Sequence, residues 1–184
     1  MSRNSQKTVT LVIGGVRSGK SRYAQELALQ AQRVAFIATA EALDQDMSRR
    51  IACHRSERPA SWATVEVPIA LADALLEYGE QFDMLLVDCL TLWTSNLLTH
   101  ENRDCRRIFE RTEDLCNALH RVSASVVLVS NEVGAGIVPA SEDGRLYRDL
   151  LGFVNQRVAA ASDKVVLLVA GCPLAIKQPA ESRL

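Results

Sequence analysis

The sequence lacks an excess of charge of either sign, a long apolar run and any signal-like N-terminus. Its 184 residues carry 21 lysines and arginines against 22 aspartates and glutamates, a net charge of −1. A chain without a basic surplus or a single-sign block is not typical of nucleic-acid binding. No apolar stretch approaches the length of a membrane span, and Met1–Lys7 is polar rather than signal-like. We therefore expect a cytoplasmic protein that partners neither nucleic acid nor a membrane.

Paired-cysteine motifs, internal repeats and low-complexity linkers are also missing. The cysteines number five, an odd count, and none are spaced C-x-x-C. They are typical of free thiols in a reducing compartment rather than of a disulfide framework or a zinc site. The length suits one domain, which we place over residues 1–184.

What the chain does have is a regular alternation of apolar, β-branched runs with helical patterns. Continuous apolar runs indicate strands buried on both faces, as in a parallel sheet, and the alternation indicates an open α/β fold. Ligands of such folds bind beyond the carboxyl ends of the strands. The predicted strands are Thr8–Ile13, Val34–Ala38, Ala63–Val67, Met84–Val87, Ser125–Val129 and Val165–Ala170. The predicted helices are Lys20–Ala31, Asp44–Arg58, Ala70–Tyr78, Leu90–Leu98, Arg103–Val122 and Leu146–Ala161.

A phosphate-binding motif, the P-loop, lies between the first strand and the first helix. The motif G-x-x-x-x-G-K-[ST] is matched by Gly14-Gly15-Val16-Arg17-Ser18-Gly19-Lys20-Ser21. Its glycines allow successive N–H groups to face phosphate oxygens, and the helix N-terminus adds a positive dipole end. Lys20 would reach the β- and γ-phosphates and Ser21 would ligate Mg²⁺. The competing interpretation is a plain glycine-rich turn.

Asp88 follows the apolar run Met84–Val87. An acid at this point matches the position that helps to bind Mg²⁺ in P-loop enzymes. The alternative is a cap for the helix Leu90–Leu98, on which we expect Thr91, Trp93 and Asn96 to provide packing and polar surface.

His54 stands among arginines in the segment Asp46–Pro59. Nearby positive charge favours the neutral, nucleophilic imidazole, and arginines suit triphosphate oxygens. From composition alone, the segment could equally be a solvated basic face. A third stretch, Ser130–Pro139, follows the strand Ser125–Val129, and its Glu132 could orient a substrate hydroxyl or cap a turn.

These stretches together resemble the bifunctional adenosylcobinamide kinase / adenosylcobinamide-phosphate guanylyltransferase family of cobalamin biosynthesis. The resemblance covers nearly the whole chain. It is carried by Gly14–Ser21, Phe36–Ala40, His54–Trp62, Thr64–Glu66, Leu86–Trp93, Ser130–Pro139, Arg148–Gly152 and Asn155–Ala161.

The resemblance implies a RecA-like P-loop fold, trimeric assembly and two reactions. ATP or GTP would phosphorylate adenosylcobinamide, and GTP would then guanylylate a histidine that passes GMP to adenosylcobinamide phosphate. The catalytic residues carry over to His54 and Lys20, and the metal ligands to Ser21 and Asp88. The nucleotide contacts carry over to the P-loop and to Ala38, Thr39, Ala40, Arg55, Ser56, Glu57, Arg58, Glu66 and Asp88. The alternatives are a P-loop kinase that does not use its histidine and a non-catalytic, nucleotide-dependent regulatory module.

Overall fold

The structure is a computed structural model that describes residues 7–41 and 58–178. Within these ranges the chain forms strands and helices in regular alternation. The strands are Val9–Gly14 (β1), Val34–Ala38 (β2), Ala63–Glu66 (β3), Met84–Asp88 (β4), Ser125–Asn131 (β5), Lys164–Val169 (β6) and Cys172–Lys177 (β7). The helices are Lys20–Ala28 (α1), Leu71–Gly79 (α2), Leu90–His100 (α3), Cys105–Arg121 (α4) and Glu142–Ala161 (α5).

All seven strands join one sheet in the order β3-β2-β4-β5-β1-β6-β7. Every pairing is parallel except that of β7 with β6. The predicted mostly parallel α/β sheet is therefore confirmed. Because β1 lies between β5 and β6, the segments that follow these strands flank the loop after β1 at the same edge of the sheet.

Helices cover both faces of the sheet, and the inner strands contribute alternate side chains to the two cores. On one face Leu11 packs among apolar residues of α2, α3, α4 and α5. On the other face Val12 packs with Ala24 and Ala28 of α1. Leu11 and Val12 are fully buried, so truncation of Leu11 to alanine would cost about 2–5 kcal/mol of stability. These two cores hold in place the strands whose carboxyl ends form the candidate site.

The antiparallel strand β7 was missed by the sequence analysis. It lies at the edge of the sheet and five of its six residues are exposed, including the apolar Leu174 and Ile176, so it lacks the buried setting of the other strands. Pro173 also argues against a strand, although an edge strand tolerates it. A left-handed turn at Ala170 (φ 51°) and Gly171 (φ 82°) reverses the chain before β7.

Two helix boundaries differ from the predictions because of side-chain caps. α4 begins at Cys105 because Asp104 accepts hydrogen bonds from the N–H groups of Arg106 and Arg107. α5 begins at Glu142, a turn earlier than predicted, because Ser141 accepts from the N–H of Gly144. The predicted helix Asp44–Arg58 lies, except for Arg58, outside the described residues. None of the helices in residues 7–41 and 58–178 combines the length and apolar content that a membrane crossing needs.

Candidate functional site

The loop from Gly15 to Gly19 joins β1 to α1 and forms the centre of the candidate site. Gly19 caps α1 in a left-handed conformation (φ 96°), which glycine adopts without strain. Lys20, the first residue of α1, is only 8% exposed, and its Nζ donates a 2.6 Å hydrogen bond to the carbonyl of Gly15. The lysine therefore folds back over the loop. This is the position expected of a side chain that contacts phosphates bound in that loop.

The turn between β6 and β7 packs directly against this loop. The N–H of Gly171 donates a 2.9 Å hydrogen bond to the carbonyl of Ser18. A Cβ on Gly19 would lie 3.3 Å from the Cα of Gly171, tighter than most real contacts. Gly14 also needs to be glycine, since a Cβ there would lie 2.8 Å from the Oγ of Ser18 and still nearer the carbonyl of Leu168. The end of β6 and the turn that leads into β7 thus pack against the P-loop.

The side chain of Ser18 is buried within this loop without a hydrogen-bond partner among the described residues. Ser18 is 7% exposed, and its Oγ makes no hydrogen bond. A buried hydroxyl without a partner costs free energy, which a bound ligand oxygen would recover. This hydroxyl fits a loop that is completed by a phosphate group.

Asp88 ends β4, beside Ala38 of β2 and Val129 of β5. Burial lowers the pKa of Lys20, while Cys89 and Asp88 oppose that shift. Burial, and secondarily the charge of Asp88, raises the pKa of Cys89 to about 12. Cys89 is therefore a neutral thiol at pH 7, and Asp88 is the charged group that favours the ammonium form of Lys20.

The donor set at Ser21 and Asp88 fits a divalent magnesium ion. Ser21 lies in the first turn of α1, a helix that contacts β4, and Asp88 ends β4; both residues offer oxygen atoms. Mg²⁺ prefers oxygen ligands and commonly keeps waters while binding one or two protein groups and the substrate phosphates. Among the described residues no cluster of three or more acidic, histidine or cysteine side chains suits a metal, so phosphates and water would complete the coordination.

Thr39 joins the ends of β2 and β4. Its hydroxyl donates to the carbonyl of Cys89 (2.7 Å) and accepts from the N–H of the same residue (2.8 Å). The amide of Asn96 donates to the carbonyl of Thr39 at 2.7 Å, and both residues are buried. The expectation that Asn96 contributes polar surface is therefore wrong, because its amide satisfies a buried backbone carbonyl. Thr39 positions this edge of the sheet, and contact of Ala38, Thr39 or Ala40 with a nucleotide stays a prediction.

The remaining predicted nucleotide contacts lie toward β3. Glu66 ends β3 opposite Ala38 and is exposed. The guanidinium carbon of Arg58 lies 3.4 Å from the centroid of the Phe36 ring, a close cation–π contact. The structure thus brings Arg58 onto β2, the strand that leads to Ala38. The predicted nucleophile and its neighbours, His54, Arg55, Ser56 and Glu57, lie outside the described residues.

Residues 132–141, which we call the β5–α5 loop, flank the P-loop on the other side. The N–H of Glu132 donates to the carbonyl of Gly14 at 3.0 Å. The carboxylate of Glu132 accepts from the N–H groups of Gly134 and Ala135. Of the two roles left open for Glu132, the structure therefore shows the turn cap.

A polar network that no sequence motif indicates lies beneath the β5–α5 loop. The hydroxyl of Ser130 donates to Asn155 Oδ1 at 2.6 Å, and Asn155 Nδ2 donates to the carbonyl of Asn131 at 3.0 Å. The N–H of Asn131 donates in turn to the hydroxyl of Thr91 at 2.8 Å. Tyr147 donates to the Thr91 carbonyl, and burial raises the pKa of its phenol.

Comparison with known proteins identifies the family to which this site belongs. The family model described as cobinamide kinase / cobinamide phosphate guanyltransferase matches residues 10–176. The chain belongs to this family. The bifunctional adenosylcobalamin biosynthesis protein CobP of Pseudomonas aeruginosa is 46% identical over 168 residues, which cover 91% of this chain and 96% of that protein. The CobU proteins of Salmonella typhimurium and Escherichia coli are 42% and 40% identical over 178 residues, 91% of this chain and 98% of each relative.

Solved structures share the fold with this member of the cobinamide kinase / cobinamide phosphate guanyltransferase family. A Pyrococcus horikoshii protein, PH0250, superposes with a TM-score of 0.59 at 8% identity, covering 95% of this chain and 88% of that one. An ATPase of a type III secretion system superposes with a TM-score of 0.55 at 14% identity, covering 88% and 51%. At such low identity these likenesses concern the fold alone.

Proposed function

We propose that this chain catalyses both reactions that its family name describes. In the first, ATP or GTP phosphorylates the aminopropanol hydroxyl of adenosylcobinamide. In the second, GTP supplies GMP to adenosylcobinamide phosphate, which yields adenosylcobinamide-GDP. The single observation that carries the proposal is the family match over residues 10–176, in which a complete P-loop is followed by an acid at the end of β4.

The kinase reaction requires mainly positioning of the γ-phosphoryl group and neutralisation of charge. The N–H groups of the loop Gly15–Gly19 and the dipole of α1 would bind the phosphates. Lys20, which already contacts the loop carbonyl of Gly15, would move to the β- and γ-phosphate oxygens. Mg²⁺ at Ser21 and Asp88 supplies further charge neutralisation when bound. The oxygen of the acceptor forms the new bond to the γ-phosphorus, the bond from that phosphorus to the β-phosphate oxygen breaks, and the hydroxyl proton is released.

The guanylyl transfer divides into two displacements at the α-phosphorus of GTP. A nitrogen of the His54 imidazole forms a bond to this phosphorus, and pyrophosphate leaves. A phosphate oxygen of adenosylcobinamide phosphate then attacks the same phosphorus, and the bond to His54 breaks. Arg55 and Arg58 would stabilise the charge that builds on the phosphate oxygens. The position of Arg58 against Phe36 supports this assignment, since it brings the end of the predicted basic segment onto β2, the strand that leads to Ala38.

The proposal is tested by product analysis with the purified protein. Adenosylcobinamide is incubated with ATP and, in a second reaction, with GTP. The corrinoid products are then separated and identified by mass spectrometry. We expect adenosylcobinamide phosphate with ATP alone and adenosylcobinamide-GDP once GTP is present. Formation of the phosphate without the GDP derivative would remove the second activity, and recovery of unchanged adenosylcobinamide in both reactions would overturn the proposal.

A further inference from the structure

The β5–α5 loop displays apolar side chains at the edge of the sheet where the P-loop lies. Ile137 is 96% exposed and Val138 is 59% exposed. In the P-loop, Val16 is 81% exposed. Single exposed apolar residues are ordinary on protein surfaces, but adjacent ones beside a ligand site are typical of recognition surfaces.

This loop is held in place rather than loosely tethered. At its start, the N–H of Glu132 is bonded to the P-loop residue Gly14, and the Glu132 carboxylate caps the following turn. At its end, one Nη of Arg145 donates to the carbonyls of Pro139 (3.1 Å) and Ala140 (2.7 Å). Because the loop is fixed at both ends, it loses little conformational entropy when a ligand binds to Ile137 and Val138.

The chemistry of the reaction requires a surface for a large acceptor beside the P-loop. The acceptor hydroxyl must reach the γ-phosphate, while the P-loop itself surrounds the phosphates. The bulk of the acceptor therefore has to lie on the segments that flank the P-loop. On the β5 side of β1 that segment is the β5–α5 loop, whose first N–H is bonded to Gly14.

We infer that Ile137 and Val138 form the surface on which the corrin ring of the acceptor rests. This inference rests on the proposed function and adds the acceptor site to it. A corrin is a large, flat macrocycle whose faces and rim carry methyl groups, and these match exposed aliphatic side chains. Neither residue is among the predicted nucleotide contacts, which lie on the P-loop and toward β2, β3 and β4. The acceptor site and the nucleotide site are thus separate surfaces that meet at Gly14.

The test compares serine substitutions at solvent-exposed apolar positions. Ile137→Ser and the double variant I137S/V138S remove apolar area from the proposed surface. Leu29→Ser is the matched control, since Leu29 is 59% exposed and lies just after the C-terminal end of α1, at the opposite edge of the sheet. Steady-state kinase kinetics give the KM for adenosylcobinamide and the KM for ATP, and size-exclusion chromatography gives the oligomeric state.

We expect the double variant to raise the KM for adenosylcobinamide roughly tenfold or more, from the apolar area that no longer becomes buried. The KM for ATP, the elution volume and all constants of Leu29→Ser should be unchanged. An unchanged KM for adenosylcobinamide would overturn the inference, as would an equal rise in the KM for ATP. A shifted elution volume would instead assign the surface to contacts between copies of the chain. Failure of the wild-type protein to phosphorylate adenosylcobinamide would be a failure of the proposed function itself.

Discussion

The P-loop and the β5–α5 loop follow neighbouring parallel strands and contain glycines, yet they present opposite chemistry. In the P-loop, Ser18 and Lys20 are buried, and Lys20 folds back onto the carbonyl of Gly15. In the β5–α5 loop, the carboxylate of Glu132 occupies the backbone N–H groups, and Ile137 faces solvent. The difference teaches that the residue types around the glycines, rather than the glycines, decide whether a loop at this edge binds an anion or an apolar surface.

The largest effect is expected from a substitution that removes the positive charge of Lys20 from the P-loop. Lys20→Met should lower kcat/KM of both proposed reactions roughly a hundredfold or more, because the positive charge at the phosphates is lost in a buried site. Kinase and guanylylation assays measure the two effects. Lys164→Met, at an exposed position that starts β6, is the control and should leave both rates unchanged. Retention of either activity in Lys20→Met would separate that reaction from the P-loop.

The next largest effect is expected from a substitution that breaks the polar network beneath the β5–α5 loop. Asn155→Ala leaves the hydroxyl of Ser130 and the carbonyl of Asn131 without their partner. The free energy of unfolding in urea should fall by about 1–3 kcal/mol, the cost of unsatisfied buried polar groups. Asn117→Ala, on the exposed side of α4, should change it by less than about 0.5 kcal/mol. Equal losses in the two variants would show that the network does not stabilise the fold.

A smaller effect concerns the cap inside the β5–α5 loop. Glu132→Ala removes the acceptor for the N–H groups of Gly134 and Ala135 and should raise the KM for adenosylcobinamide about fivefold, the equivalent of roughly 1 kcal/mol of lost capping. Glu132→Gln keeps an acceptor oxygen and should retain most of the affinity. Steady-state kinetics at saturating ATP provide the measurement. A loss in Glu132→Gln as large as in Glu132→Ala would assign the carboxylate charge, rather than the cap, to the reaction.

The smallest effect lies outside both loops, between α4 and α5. Glu113 and Arg157 form a two-point ion pair (2.6 and 2.7 Å) that lowers the pKa of Glu113 below its ordinary value of 4.5. Since the pKa is depressed in the folded state, the pair stabilises the protein above pH 4.5, and this contribution is lost as the pH falls through the folded-state pKa. Both side chains are over 40% exposed, so Glu113→Gln should cost less than about 1 kcal/mol at pH 7.

Denaturation of wild type and Glu113→Gln across pH 3 to 7 measures that difference. The two curves should converge at the acid end of the range. Glu110→Gln, whose partner Arg106 lies one turn away on the same helix, should show a smaller difference throughout. A difference for Glu113→Gln that grows toward acid pH would contradict the assignment.

Local patterns in the sequence predicted the strands that are buried on both faces, because their apolar runs are continuous. β7 was not predicted because it is an edge strand that its neighbours bury little. The contact of the turn at Gly171 with the P-loop joins residues that are distant in sequence. The motif predicted that Lys20 serves the phosphates, which stays a prediction, and the structure adds its hydrogen bond to the carbonyl of Gly15. No local pattern could predict that Thr39 is bonded to Cys89 or that Asn155 reaches Ser130, since tertiary packing decides those contacts.

Covalent labelling with GTP tests the central proposal, that one P-loop serves both phosphoryl and guanylyl transfer. The protein is incubated with GTP labelled at the α-phosphate, denatured, and treated with acid or alkali. We predict a label that is stable in alkali and lost in acid, as expected of a phosphorus–nitrogen bond, absent from His54→Ala and strongly reduced in Lys20→Met. A wild-type protein that acquires no label, or a His54→Ala variant that is labelled as fully as the wild type, would contradict the account.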